Sequence, residues 1–181
     1  ALNAEVGLDA EFICCDIYNL PKHLKGQFDI VFSSYGTIGW LPDMKKWANI
    51  VAQFIKPQGK FIFVEFHPVL WMFDDNFRKI DYSYFNKEAI IENLPGTYAD
   101  VNAAIKTNEI GWNHSLSEVF SALLSEGLVI KDFQEYDYSP YPCFSETEET
   151  APGKHQVKHL KEKLPMVYSL VVEKLSVTIK S

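Results

Sequence analysis

The stretch FDIVFSSYGTIGWLPDMKKWANIVAQFIKPQGKFIFVEF, from Phe28 to Phe66, holds two apolar runs separated by a helical pattern. The runs Phe28–Phe32 and Lys60–Phe66 are apolar along most of their length, which is typical of strands buried on both faces of a parallel sheet. Between them, apolar residues recur every three or four positions from Asp43 onward, and a Pro-Gln-Gly turn ends the pattern at Gly59. The stretch therefore predicts a β-α-β unit.

The same kinds of element continue on both sides of this unit. Phe12–Cys15 is a short apolar run that predicts another buried strand. Ser115 and Glu118 form a capping box that opens a helix. Leu128–Tyr136 and Met166–Leu175 then read as the last two strands. The order of elements predicts an α/β fold, with residues 1–181 as a single domain.

Composition and charge restrict the classes of partner. The chain has 181 residues, of which 47% are hydrophobic, so it suits one globular domain with a core. Its net charge is −7 and it has no basic cluster, which argues against nucleic acid or an anionic membrane as partner. Three cysteines form neither a disulfide framework nor a metal-binding spacing. We expect a cytoplasmic protein that binds a small molecule, and we leave homo-oligomer formation open.

Two segments lack regular patterning. Residues 67–112 are rich in aromatic residues and in Asn and Asp, and a segment of this kind is more typical of a binding insertion or lid than of a plain connection. Residues 138–165 contain four prolines and predict a long loop over the active site. The aromatic side chains in these segments suit a flat or apolar ligand, although covering the sheet is the more ordinary role. They are Trp71, Tyr98, Tyr138 and Tyr141.

Five stretches, in chain order, resemble class I S-adenosylmethionine-dependent methyltransferases from their third strand to their seventh. They are FICCDIYNLP, FDIVFSSYGTIGWLPD, IKPQGKFIFVE, SLSEVFSALLSEGLVIKDF and PMVYSLVVEKL. Three further motifs, VEFHPVLWMF, GWNHSLSE and YSPYPCF, resemble a bacterial subgroup of small methyltransferases. The resemblance implies a Rossmann-like sheet in the strand order 3-2-1-4-5-7-6.

The chain departs from that family at one place. The family carries a G-x-G-x-G turn after strand one and an acidic residue after strand two, and the glycines of this chain never fall in that pattern. We therefore expect this sequence to lack strands one and two and to be a fragment or part of a longer chain. The alternative is that the chain does not belong to this family and that its strands pair in a different order.

The resemblance implies S-adenosyl-L-methionine as cofactor and S-adenosyl-L-homocysteine as product. Asp16 would accept a hydrogen bond from the adenine amino group, with the backbone amide of Ile17 beside it. From the residues alone, Asp16 is equally a turn-forming residue or a helix cap. Ser33 and Ser34 would meet the methionine part of the cofactor, and Tyr35 would present an aromatic face to the sulfonium.

Two acid–base side chains end the predicted strand Lys60–Phe66. Glu65 and His67 flank Phe66, so they project to the same side of the strand. Histidine is the side chain best suited to general-base catalysis near neutral pH. We predict Glu65 and His67 as catalytic residues, with a structural role for His67 as the alternative.

His114 is a third candidate for catalysis. It stands before the capping Ser115, where an apolar residue is usual, and it follows Trp112 and Asn113. Two histidines without a clear third ligand make a weak metal site, so we expect no metal. The residues predicted to bind the methyl acceptor are Trp40, Trp71, Trp112, Asn113, Tyr138 and Tyr141.

The predicted function is S-adenosylmethionine-dependent methyl transfer to a small-molecule acceptor. One alternative is a non-catalytic, truncated methyltransferase-like scaffold that binds a partner. Another is a nucleotide-binding α/β enzyme of a different class, such as a dehydrogenase, although the sequence has no G-x-G-x-x-G motif.

Overall fold

The computed structural model describes residues 2–96 and 103–176. The helices are α1 (Leu2–Glu5), α2 (Leu20–His23), α3 (Met44–Phe54) and α4 (Leu116–Ser125). The strands are β1 (Phe28–Ser34), β2 (Ile55–Phe66), β3 (Ile90–Pro95), β4 (Lys106–Gly111), β5 (Leu128–Tyr136), β6 (Thr147–Ala151), β7 (Lys154–Val157) and β8 (Val167–Lys174). Single 3-10 turns lie at Ile17–Asn19, Ile38–Trp40, Leu70–Met72 and Lys161–Lys163.

The main sheet has four strands in the order β1-β2-β8-β5. β1 and β2 are parallel, with Val31 beside Phe61, and β8 is antiparallel to both β2 and β5. The predicted β-α-β unit is therefore present, although β2 begins at Ile55 rather than Lys60. In the predicted order, strands four, five, seven and six are consecutive neighbours, and they correspond to β1, β2, β8 and β5. The full seven-strand order stays a prediction.

Helices α3 and α4 pack on one face of this sheet. Asp43 caps α3 by accepting a hydrogen bond from the amide of Lys46 at 3.0 Å, and Ser115 caps α4 by accepting one from Glu118 at 3.3 Å. The Trp47 ring lies 5.3 Å from that of Phe63, measured between centroids. None of the helices in the described ranges is long and apolar enough to cross a membrane.

The opposite face of the sheet is open at β1. Ile30 and Phe32 point to this face and are 60% and 61% exposed. The predicted strand Phe12–Cys15 is not formed, and Phe12 is 83% exposed. That prediction was wrong. An apolar run forms a strand only when a neighbouring strand satisfies its backbone hydrogen bonds. Among the described residues β1 pairs only with β2, and no strand pairs with Phe12–Cys15.

The two irregular segments each contain a hairpin. β3 pairs with β4 inside residues 67–112, and β6 pairs with β7 inside residues 138–165. The second segment is therefore not one long loop, which corrects the sequence-based interpretation. Its turns rich in Pro hid two mostly polar strands, of which β6 is exposed and β7 is partly buried. The lid role of 67–112 stays a prediction, and Tyr98 lies outside the described residues.

Gly59 offers a test of the close approach between β2 and β1. A Cβ atom at this position would lie 2.9 Å from the Lys56 carbonyl oxygen and 3.0 Å from that of Phe28. We expect Gly59→Ala to lower the free energy of unfolding by about 1–3 kcal/mol, because backbone atoms must shift. Urea denaturation measures this change.

The matched control is Gly39→Ala. Its Cβ would lie 3.7 Å from the nearest atom, the Trp112 carbonyl oxygen, which is ordinary van der Waals contact. This variant should keep the stability of the unmodified protein. Equal stability of the two variants would contradict the crowding at Gly59.

Candidate active site

A cavity of about 320 Å³ opens at the carboxyl ends of β1 and β2. Its wall combines residues that follow β1, residues at the end of β2, and residues of the 67–112 segment. The lining residues are Gly36, Ile38, Gly39, Trp40, Glu65, Phe66, Pro68, Trp71, Phe73, Asp75, Tyr82, Ile90, Glu92, Glu109, Gly111, Trp112, Asn113 and His114. Six of the sequence-predicted site residues are in this wall: Trp40, Glu65, Trp71, Trp112, Asn113 and His114.

Glu65 is the most tightly held of these residues. It is 3% exposed, and its Oε1 accepts hydrogen bonds from the amides of Gly36 and Phe66. Its Oε2 accepts from the Thr37 amide at 2.8 Å, from the Thr37 hydroxyl at 3.1 Å and from the Ile38 amide at 3.2 Å. Both carboxylate oxygens are thus engaged by the turn that follows β1, which favours a positioning role over the predicted catalytic one.

Two hydrogen bonds join the 112–114 stretch to the rest of the wall. The Trp112 amide donates to the Gly39 carbonyl at 2.8 Å, and the Asn113 side-chain amide donates to the Pro68 carbonyl at 3.1 Å. Asn113 is 3% exposed, yet its Oδ1 has no hydrogen-bond partner. A buried acceptor without a partner is unusual and marks this part of the wall.

His114 has acceptors at both ring nitrogens. Its Nε2 donates to the Leu41 carbonyl at 2.7 Å, and its Nδ1 lies 3.1 Å from the Glu118 carboxylate. Both ring nitrogens are therefore engaged by protein groups. His114 therefore anchors the start of α4 to the loop before α3, and it has no free nitrogen with which to accept a proton from a ligand.

His67 lies outside the cavity wall. Its Nδ1 accepts a hydrogen bond from the Val69 amide at 3.2 Å, which places the ring proton on Nε2. Nε2 then donates to the Glu135 carboxylate at 3.0 Å. Burial lowers the pKa of His67 below its ordinary value of 6.5, and Glu135 opposes that shift. This arrangement favours the structural alternative for His67.

The sequence analysis missed three acidic residues of the wall. Glu92 and Glu109 stand directly opposite each other on β3 and β4, and Asp75 lies nearby in the wall. The Tyr82 hydroxyl donates to Glu92 at 3.1 Å, and this hydrogen bond raises the pKa of Tyr82 above its ordinary value. Strand-like alternation in IIENLP and KTNEIG was the signal that could have revealed this hairpin.

The residues predicted to hold the cofactor lie outside the cavity wall. Asp16 is exposed, and its Oδ1 accepts from the Tyr18 amide at 2.9 Å, so it does cap the turn that begins at Ile17. At the end of β1, the Ser33 hydroxyl lies 3.0 Å from that of Thr37, and Ser34 completes the strand.

Three tyrosines surround the same edge of the sheet without entering the wall. The amide of Tyr35 donates to the Val64 carbonyl at 2.7 Å, and its ring lies 5.8 Å from that of Tyr141. Burial raises the pKa of both phenols. Tyr138 packs on Tyr136 and lies 4.5 Å beneath the Lys154 ammonium. In the described residues, no three His, Cys, Asp or Glu side chains form a group that could hold a metal ion.

The neutral state of His67 makes stability depend on pH. Because its pKa is lower in the folded protein than the ordinary 6.5, the stability it confers is present above that value and is lost as the pH falls through the folded pKa. We expect the free energy of unfolding to fall less in His67→Gln than in the unmodified protein between about pH 7 and about pH 5.

Urea denaturation at several pH values measures that difference. His23→Gln is the matched control, since His23 is exposed and should leave the pH dependence unchanged. Identical curves for His67→Gln and the unmodified protein would show that His67 is not held neutral.

Known proteins resemble the chain in sequence over one part and in fold over most of it. A family model described as a methyltransferase domain matches residues 1–63. No curated protein matches the sequence. An S-adenosylmethionine-dependent methyltransferase from Clostridium acetobutylicum ATCC 824 has a TM-score of 0.57 at 16% identity, over 97% of this chain and 69% of that one.

Two further solved structures are similar. One is an S-adenosylmethionine-dependent methyltransferase from Mesorhizobium loti, with a TM-score of 0.51 at 15% identity over 88% of this chain and 68% of that one. The other is a candidate S-adenosylmethionine-dependent methyltransferase from Listeria monocytogenes, with a TM-score of 0.50 at 15% identity. The latter match covers 83% of this chain but only 62% of the Listeria protein, which is less than two thirds of its length.

The similarities confirm the resemblance drawn from the sequence. The family match covers the β1 strand, helix α3 and the first part of β2, and the fold match extends over the closing strands. The chain therefore has the fold of S-adenosylmethionine-dependent methyltransferases, and residues 1–63 match a methyltransferase-domain family model.

Proposed function

We propose that this chain supplies the acceptor site of an enzyme that methylates a small molecule with S-adenosylmethionine. The observation that carries the proposal is the cavity of about 320 Å³ at the carboxyl ends of β1 and β2. Ligands of open α/β sheets bind at these strand ends, and small-molecule pockets begin at about 300 Å³. The free cysteines Cys14, Cys15 and Cys143 support a reducing, cytoplasmic location.

The residues of this chain fit the cofactor at its two ends. Asp16 keeps Oδ2 without a hydrogen bond in the described residues, so it offers an acceptor to the adenine amino group, beside the Ile17 amide. Ser33, Ser34 and Tyr35 offer hydroxyls and an aromatic face at the end of β1. When bound, S-adenosylmethionine supplies an electrophilic methyl group on a sulfonium. The similar solved structures, which are S-adenosylmethionine-dependent, support this choice of cofactor.

The contribution of the cavity residues is to bind and orient the acceptor and to exclude water. Phe66, Trp71 and Trp112 supply apolar walls, and Trp40 also lines the cavity, with more than half of its surface exposed. Glu65 and His114 hold these walls in place through the hydrogen bonds described above. Positioning of this kind reaches effective molarities on the order of 10⁵–10⁸ M, so it can supply much of the rate.

Calorimetric titration of S-adenosylhomocysteine tests the cofactor site, with Asp16→Asn as the variant. Asparagine still accepts the hydrogen bond from the Tyr18 amide, so the turn is kept while the charge is removed. We expect the dissociation constant to rise by about tenfold, because a charge-assisted hydrogen bond to the adenine amino group is lost.

Asp9→Asn is the control, since Asp9 is also exposed and stands before the site. It should leave the affinity unchanged. Unchanged affinity in Asp16→Asn would remove Asp16 from the cofactor site, and no binding to the folded, unmodified chain would contradict the proposal that this chain holds the cofactor.

A further inference from the structure

We infer that the cavity binds an organic ammonium ion, and hence that the methyl acceptor is the amine, with an apolar or aromatic body, that this ion becomes when it gives one proton to a wall carboxylate such as Glu92 or Glu109. The lone pair freed on the nitrogen would then take the methyl group, and S-adenosylhomocysteine would leave. The second half of this inference rests on the proposed function. The first half depends only on the residues that line the cavity, so it can be tested without the cofactor.

The ionised side chains of the wall are acidic. Asp75, Glu92 and Glu109 line it together with Glu65, and no Lys or Arg does so among the described residues. The turn amides already satisfy Glu65, as shown above. The other three carboxylates have no ion pair in the part of the chain that the structure describes. The cavity therefore presents uncompensated negative charge.

Two of these carboxylates repel each other because they lie directly opposite on neighbouring strands. Glu92 on β3 and Glu109 on β4 are direct cross-strand partners, and both line the cavity. Like charges directly opposite in an antiparallel pair are destabilising. A cation bound between them removes this repulsion, whereas an anionic ligand increases it.

A buried acceptor points to the same ligand chemistry. Asn113 lines the cavity, is 3% exposed, and leaves its Oδ1 without a hydrogen bond. The other atom of that amide is fixed by its bond to the Pro68 carbonyl, so the free atom is the oxygen. This oxygen has almost no accessible surface, so a ligand reaches it only when the wall shifts, and an ammonium group then supplies up to three N–H donors. This acceptor is independent of the acidic residues on the hairpin.

Aromatic side chains distinguish an organic cation from a metal ion. Trp40, Phe66, Trp71, Phe73, Tyr82 and Trp112 line the cavity. Their faces attract ammonium groups through cation–π interactions and pack against an apolar body. A hard metal ion instead requires several oxygen ligands around one point, and the described residues offer no such group.

The test compares two probes of similar shape and opposite charge at neutral pH. Calorimetry with phenethylammonium and with 3-phenylpropionate measures both affinities on the same sample. We expect the amine to bind about tenfold more tightly, the ratio that carboxylates and aromatic faces of a partly exposed site supply. Equal binding, tighter binding of the acid, or no binding of the amine at millimolar concentration would overturn the inference.

A double variant, Glu92→Gln with Glu109→Gln, tests which groups carry the preference. It should lose most of the difference between the probes, and thermal unfolding would show that the variant remains folded. Glu88→Gln is the matched control, because Glu88 is exposed in the same segment and outside the wall. An unchanged preference in the double variant would also overturn the inference.

The same sample is titrated with S-adenosylhomocysteine to separate the two proposals. If S-adenosylhomocysteine binds but the amine is not preferred over the acid, the ammonium site is overturned and the proposed function stands. A preference for the amine without binding of S-adenosylhomocysteine supports the ammonium site and contradicts the proposed function.

Discussion

A buried carboxylate holds together the ends of the two parallel strands. Glu65 is the penultimate residue of β2, and the amides it engages belong to the turn that follows β1 and to Phe66. A charge inside a protein is tolerated when hydrogen bonds replace its water shell, and five donors surround this carboxylate. The turn cannot move away from β2 without leaving that charge unsatisfied. The position of residues 36–38 is therefore fixed by the strand beside them.

The shape of the cavity depends on this turn. Gly39 and Trp40 follow directly, and the Gly39 carbonyl accepts the hydrogen bond from Trp112 on the far wall. The far wall is itself tied to the end of β2 by Asn113 and to the loop before α3 by His114. One face of the site is thus held by hydrogen bonds to the backbone carbonyls of Gly39, Leu41 and Pro68, while the acidic hairpin β3–β4 lines the other.

The sequence predicted the parts of the fold that depend on local patterns. The β-α-β unit, the start of its helix at Asp43, the capping residue Ser115 and the last two strands follow from periodicity and cap chemistry. Phe12–Cys15 failed because a strand depends on a partner elsewhere in the chain. Alternation predicted that Glu65 and His67 project to one side of the strand, but it could not reveal that distant amides engage the Glu65 carboxylate. The opposition of Glu92 and Glu109 was missed because hairpin register is not a local property.

Amide hydrogen exchange of Gly36, Thr37 and Ile38, followed by NMR, tests the central role of Glu65 most directly. In the unmodified protein these amides should exchange as slowly as those of the neighbouring strands β1 and β2. In Glu65→Gln they should lose protection by about tenfold or more, because an amide side chain presents one acceptor and two donors to the turn, whereas Glu88→Gln should leave them unchanged. Rapid exchange of the three amides in the unmodified protein would contradict the structure proposed for this turn.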